Sequence, residues 1–360
     1  MAKVNTRTGI PVRVETMALF RRRRKGDVLA VKAIGMRWDT EDPFTYASHH
    51  EDDYPHGNAQ QAPPLQEIAG RNLGRDYEQR LGFRMYHGKV VPGFPAHAHQ
   101  GYETVTVPVL GCIDHFDNLG NQGRYCGGDV HWLTAGKRYQ HCEMYPLVHN
   151  DRRNPNDITQ IMINLPLGRK DAEPVQNMVW AEDVPHVRGD GWDVTVIAGA
   201  FGDAAARVPN PDSWAADAAN HVRILRIAME PGAGITLPAV PEGVNRNLYS
   251  VSGGGLRVDG GTYRSETRFK LAADADIEVV NGDAAAALWL LEGRPIGERQ
   301  VSFGPVILGD DREVREALDE IRRRHLDDWP WDYVDQTHPR DTLRFIRYAD
   351  GREERPASRP

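Results

Sequence analysis

Cysteine is scarce in this chain. There are three in 360 residues, at positions 112, 126 and 142, and no Cys-x-x-Cys pair occurs. An odd, scattered set argues against a disulfide framework or a zinc knuckle. Long apolar runs are also missing. The longest block, Ala284 to Leu291, falls well short of the ~20 residues that span a bilayer and fits a buried strand instead. The start, Met-Ala-Lys-Val-Asn, lacks the apolar core of a signal peptide, so a cytoplasmic location and no membrane partner are expected. There is no basic excess: 44 Lys plus Arg against 51 Asp plus Glu give a net charge of −7. That balance disfavours binding to nucleic acid over a whole surface. No glycine-rich phosphate loop is found, because Gly253–Gly255 is followed by another strand pattern rather than a helix. Histidine thins out abruptly. Of 14, only His186, His221, His325 and His338 follow residue 150, so an imidazole-rich site belongs to the first half.

Turn formers are plentiful, with 35 Gly and 24 Pro. From about residue 84 the chain reads as short strands between turns. Thr104 to Val109, Cys112 to Phe116, Val130 to Leu133 and Ile158 to Leu165 carry β-branched or alternating patterns. Asn118–Gly123 and Gly127–Asp129 read as turns. The second half repeats the style at 193–197, 222–229, 248–251, 255–258, 277–280 and 287–291. Close spacing of strands predicts a sandwich or barrel. One helix is expected over Glu313 to His325, where Val314, Ala317, Leu318 and Ile321 share a face. Asp310 and Glu313 resemble its capping box. The segment from Tyr46 to Arg84 is polar and holds Pro55, Pro63 and Pro64, so it reads as a long loop with one short helix.

The stretch that carries chemistry is Gly93-Phe-Pro-Ala-His97-Ala-His99-Gln-Gly-Tyr-Glu103. Alternate side chains of a strand share a face, so His97 and His99 point the same way. Glu103 has the same parity if the strand continues. His141-Cys-Glu143 follows, with His141 and Glu143 on one face and Cys142 on the other. Two such pairs on facing barrel strands would close a four-ligand cage. Imidazole with carboxylate suits iron, manganese, nickel, copper or zinc. Glu103 is either a ligand or a carboxylate that orients an imidazole. His115 and His131 read as structural or surface residues, and Cys142 as packing. His49-His50-Glu-Asp-Asp-Tyr-Pro-His56 and the basic run Arg21–Lys25 read as solvated. Trp329 and Trp331 are expected to pack across a domain seam.

At these residues the chain resembles the pirin family, a branch of the cupin superfamily. The matching text is Phe94-Pro-Ala-His97-Ala-His99-Gln-Gly-Tyr-Glu103-Thr-Val-Thr, Asp117–Asn121, Gly128–Gly136 and His141-Cys-Glu143-Met144. Weaker matches are Asn164–Pro166, Asp193–Gly199 and Phe303–Val306. His131 stands where the family usually has Gln. The resemblance implies an all-β fold of two tandem cupin barrels. It places an N-terminal barrel in 1–170, a ligand-free barrel in 171–309, and a C-terminal helix and tail in 310–360. It implies one divalent metal, foremost Fe(II), on His97, His99, His141 and Glu143. The function implied is a quercetin 2,3-dioxygenase-like oxidoreductase acting with O2 on a flavonol, catechol or other chelating aromatic. Glu143, or Glu103 if free, would be the general base. The alternative it carries is a non-enzymatic metal-binding regulator, a transcription cofactor or modulator of a metabolic enzyme, with a protein partner. An isomerase or hydrolase on the same cage is a third option. The long 46–85 segment, which leads towards the His97 strand, is expected to cover the mouth of the metal-bearing barrel.

Overall fold

The computed structural model describes residues 27–357. The basic run Arg21–Lys25 lies outside them. Eleven strands lead through the first half: β1 (Val28–Ala33), β2 (Arg37–Trp38), β3 (Phe44–Tyr54), β4 (Gly93–His99), β5 (Tyr102–Leu110), β6 (Cys112–Asp117), β7 (Gln122–Cys126), β8 (Val130–Thr134), β9 (Tyr139–Met144), β10 (Asn154–Asn164) and β11 (Val175–Val179). Two antiparallel sheets form the first barrel. One runs β11-β8-β5-β10-β3-β2; the other runs β7-β6-β9-β4 and is extended beyond β7 by Phe345–Arg347 and Glu353–Glu354 of the tail. The second barrel pairs a seven-stranded sheet with the four-stranded sheet built on Gly234–Leu237 and Ile277–Asn281. Its seven-stranded sheet takes in β1, which pairs with Thr267–Leu271. Two cupin barrels in tandem are therefore present.

The barrels differ in what fills them. Inward-facing residues of the second are apolar: Leu225, Ile227, Leu248, Phe269, Ile277 and Leu288 are each buried in one cluster. Among the described residues, no group of three or more His, Cys, Asp or Glu is placed there to share an ion, and its buried Glu292 is paired with Arg246 and Arg223. The interior of the first is polar, with Glu143, His115, His131, His141 and Thr106 all buried. The two large sheets meet back to back through Trp38, Val105, Trp132 and Ile161 of one barrel and Ile224, Tyr249, Trp289 and Leu291 of the other. Trp38 stacks on Tyr249 with ring centroids 4.6 Å apart. This broad apolar seam, whose burial is worth roughly 25 cal/mol per Å², fixes the barrels to each other.

Two short elements behave as their sequences require. A helix, α1, spans Leu65–Ile68 inside the long polar segment. The late helix, α2, spans Asp311–Arg324. Its cap is Asp310, whose carboxylate accepts from the backbone N–H of Arg312 and Glu313, each at 2.8 Å. Glu313 reaches back to the N–H of Gly309 rather than to that of Asp310.

Three expectations need correction. The segment from Tyr46 is not a loop until after Tyr54, because β3 pairs along its length with β10. Its inner face meets a polar lumen, so the apolar alternation that marks a half-buried strand never develops. Cys112 and Cys126 form a disulfide, against the expectation of none. They stand opposite each other in the β6–β7 hairpin with Cα atoms 4.1 Å apart. Trp329 and Trp331 do not pack at the seam between barrels. They lie on the outside of the first, against Val91, Phe116, Cys142 and Met144, and the Trp331 indole N–H donates to the Asp117 carbonyl at 2.8 Å.

The tail beyond them is held by a buried charge. Arg124 pairs with both oxygens of Asp114, at 2.6 and 2.8 Å. Its remaining N–H groups donate to the carbonyls of His338, Pro339, Arg340 and Thr342. The planar guanidinium fork is thereby almost fully used, the condition under which a buried ion pair is tolerated.

Candidate metal centre

The strand β4 pairs antiparallel with β9, and the register sets His97 directly opposite His141. Directly paired residues of an antiparallel sheet share a face. His99 shares it by alternation, and so does Glu143. The two pairs therefore sit on hydrogen-bonded neighbours in one sheet, not on facing strands. A bulge between Phe94 and His97 adjusts the strand just before its first histidine.

The three imidazoles converge. His97, His99 and His141 offer ligand nitrogens that all lie within 4.8 Å of one another. Nε2 of His99 and Nε2 of His141 are 2.8 Å apart. Among the described residues, this is the only group of three or more His, Cys, Asp or Glu placed to share an ion. Two rings are oriented from behind. Nδ1 of His97 donates to the Pro95 carbonyl at 2.9 Å, which leaves the Nε2 lone pair free. Nδ1 of His99 meets the Tyr102 hydroxyl. Burial holds all three imidazoles below their ordinary pKa, His99 and His141 well below it, so they are neutral as ligation requires. Three close, neutral imidazole nitrogens fit a single metal ion.

Glu143 approaches from the same strand as His141. Its Oε2 is 3.8 Å from Nε2 of His141. Gln160 donates to that oxygen at 2.9 Å; Thr106 and Tyr125 hydroxyls donate to Oε1, each at 3.3 Å. None of these three donors was legible from spacing. They come from β5, β7 and β10, and only the register of the barrel brings them together.

Glu103 goes elsewhere. Parity would carry it to the histidines only along an unbroken strand, and the strand breaks. β4 ends at His99, Gly101 takes φ +86°, and β5 begins at Tyr102. A side chain at Gly101 would meet the Ile307 carbonyl at 2.0 Å, so the turn is tightly enclosed. Glu103 is instead buried at the base of the sheet, accepting from Trp132 Nε1 (3.1 Å), Thr134 Oγ1 (2.6 Å) and Ser213 Oγ (2.6 Å). Burial pushes its carboxyl up to about 7 against these three donors. It neither ligates nor orients an imidazole here, and its partner Ser213 comes from the second half of the chain.

His115 and His131 are structural, but not on the surface. Both are fully enclosed behind His141, with their rings 4.8 Å apart and His115 5.2 Å from the His141 ring. Cys142 is buried on the opposite face, as its parity predicts. His49 and His50 are not solvated. His49 bonds Asp157 at 2.9 Å and His50 bonds the Ser48 hydroxyl at 3.0 Å.

A cavity of about 580 Å³ opens onto the centre. His97, His99 and Glu143 line its floor, and Met36, Tyr46, Phe94 and Met162 give it apolar walls. The long polar segment supplies Tyr77, and the hairpin of Val301–Phe303 with Val306–Leu308 supplies Ser302, Gly304 and Pro305. Tyr77 bonds Nε2 of His87 at 2.7 Å.

Comparison with known proteins fits this architecture. The family model described as Pirin matches residues 34–163, and that of the Pirin C-terminal cupin domain matches 224–327. A Pseudomonas aeruginosa protein is 33% identical over 64% of this chain and 79% of its own length. The chain belongs to the pirin family. That relative carries the provisional name quercetin 2,3-dioxygenase. Human pirin is 27% identical over 70% of this pirin and 85% of its own chain. A crystal structure of quercetin 2,3-dioxygenase from Acinetobacter baumannii superposes with a TM-score of 0.65 at 20% identity. It covers 84% of this pirin and 98% of its own chain, a likeness of fold. No helix among the described residues is long and apolar enough to cross a membrane.

Proposed function

We propose that this pirin is a single-metal dioxygenase, iron-dependent, acting with O2 on a flavonol, catechol or similar chelating aromatic. The observation that carries it is a cluster of three neutral imidazoles, two of which line the floor of an open, aromatic-walled cavity together with the carboxylate of Glu143. His97, His99, His141 and Glu143 would hold the ion; manganese, nickel, copper or zinc suit the same donors. When bound, the ion supplies Lewis-acid activation and a template for a chelating substrate and O2.

The chain does the rest. Pro95 and Tyr102 fix the ring orientations of His97 and His99, so their lone pairs stay aimed. Gln160, Thr106 and Tyr125 hold the Glu143 carboxylate in place. Glu143 is the one carboxylate among the described residues lining the cavity, and it would accept the proton of a substrate hydroxyl by loosening its hold on the ion. Glu103, locked to Trp132, Thr134 and Ser213, takes no part. Phe94, Tyr46, Met36 and Met162 offer flat apolar contact to a planar ring and displace water from it.

The test is oxygen uptake by the iron-loaded protein against a panel of flavonols and catechols. Uptake that depends on substrate and is lost in His97→Ala supports the proposal. Full metal content with no uptake on any member of the panel overturns it in favour of a non-enzymatic metal-binding regulator.

A further inference from the structure

The cavity above the metal centre has an unusual charge. Among the described residues its only carboxylate is Glu143, at the floor, while Arg37, exposed, lines it as well. The Arg37 guanidinium has, among the described residues, no hydrogen-bond or ion-pair partner. Other arginines of this region are engaged. Arg84 pairs with Asp52 and Arg71 with Asp76. A guanidinium free of protein partners at the mouth of a cavity is available to an anionic group of a ligand.

Sheet register gives its position. Arg37 pairs with Ser48, Ser48 with Gln160, and Gln160 with Thr106. Directly paired residues share a face, so this row runs across the cavity wall from rim to floor. Gln160 touches Glu143. Arg37 lies two strands further out, ~10 Å at the usual ~4.8 Å spacing, a distance its long side chain shortens. That leaves the length of one aromatic ring between a group held at the floor and a group held by Arg37. Phe94 and Tyr46 line the same cavity and offer aromatic contact to the ring. Arg37 and Arg75 both act electrostatically on the Tyr77 phenol, and of the two only Arg37 lines the cavity.

We propose that the substrate of this site bears a carboxylate on the side of its ring remote from the chelating oxygens, and that Arg37 is the residue that selects it. A free guanidinium presents a two-pronged donor fork matched to a carboxylate. This selection rests on the metal-centre reading above. It narrows the substrate from any catechol or flavonol to an aromatic acid with adjacent oxygen donors.

The experiment is anaerobic calorimetric titration of the metal-loaded protein, with metal content measured on each sample. The probes are 3,4-dihydroxybenzoate and its methyl ester, which share the chelating oxygens and differ in charge. Wild type is expected to bind the acid about tenfold more tightly than the ester, in the range of one charge-assisted contact, with the preference shrinking at high salt. Arg37→Ala should bring the ratio to about one without changing ester affinity or metal content. Arg37→Lys should keep part of it. Arg75→Ala, outside the cavity lining, should keep most of it. Equal affinity of wild type for acid and ester, or a preference that survives Arg37→Ala, overturns the proposal while leaving the metal centre standing. Failure of wild type to take up metal and to bind either probe overturns the metal-centre reading and this one with it.

Discussion

Glu103 offers a sharp test of how the site is built, because its residue type and spacing nominate it as a catalyst and its contacts make it a structural group. Glu103→Ala removes the shared acceptor of Trp132, Thr134 and Ser213. The two hydroxyls can turn to other acceptors, but the indole N–H cannot. A buried donor left without a partner costs about 1–3 kcal/mol, so a loss of about 3 kcal/mol for the group is expected. Glu103→Gln keeps the shape and one acceptor oxygen and should cost less. The pH dependence separates the readings further. The folded protein holds this carboxyl up at about 7, above its ordinary 4.5, chiefly through burial. A raised carboxyl contributes stability that is fully present below pH 4.5 and is lost as pH rises through 7. The window amounts to about 3 kcal/mol at ~1.4 kcal/mol per pH unit. The glutamine variant lacks this component. Urea unfolding at steps from pH 4.5 to 8 should show its stability gaining on wild type as pH rises, while metal content stays equal. A flat difference across that range, or metal lost in Glu103→Gln, would refute the placement of Glu103 in a structural cluster.

Other expectations follow from the contacts described. His97→Ala or His141→Ala should strip most bound metal by elemental analysis, whereas His221→Ala should leave it; two ions per chain would contradict a single centre. Arg124→Ala leaves Asp114 buried and unpaired, so a cost of about 3–5 kcal/mol is expected, together with faster proteolysis after residue 337; a tail still protected would show that the guanidinium does not hold it. Titration of thiols in the denatured, unreduced protein should count one of the three cysteines, and a count of three would remove the Cys112–Cys126 bridge. Tyr77→Ala should change substrate range with metal content intact, and unchanged kinetics on every substrate would reduce the polar segment around it to packing.

The three-histidine cluster and the carboxylate beside it were legible because they rest on the most local rule of a strand, the alternation of faces. His97 and His99, like His141 and Glu143, need only two residues of extended backbone each. The tandem all-β architecture was legible for a similar reason, since most strands carry their own β-branched runs and turn signals. What stayed hidden depends on register. Thr106, Tyr125 and Gln160 reach Glu143 from three separate strands, and no short pattern announces that. Glu103 was misplaced because a glycine turn between two strands carries the chain from one sheet into the other and cancels parity. The disulfide had a usable signal. The turn at Asn118–Gly120 is the centre of the β6–β7 hairpin, and Cys112 and Cys126 are equidistant from Leu119. Counting outward from the turn pairs them, as it pairs Asp114 with Arg124. β3 escaped because a strand facing a polar lumen has the composition of a loop. Its inward residues His50 and Asp52 are polar by necessity of what they face, not by exposure to water.

The anchoring of the tail by Arg124 bears on how this protein comes off the ribosome. The carbonyls that satisfy the guanidinium lie some 215 residues downstream in the chain. Domains as a rule complete folding in the order they are synthesised, but this first barrel cannot. Until residues 338–347 emerge, the ion pair of Arg124 and Asp114 lacks its cover and β7 ends the sheet as an open edge. The second barrel has the mirror situation, since β1, made before every other described strand, must wait for Thr267–Leu271 before it has a partner. A nascent chain stalled anywhere in between would present two unfinished sheets, which makes the interval between the two barrels the period when a chaperone has most to do.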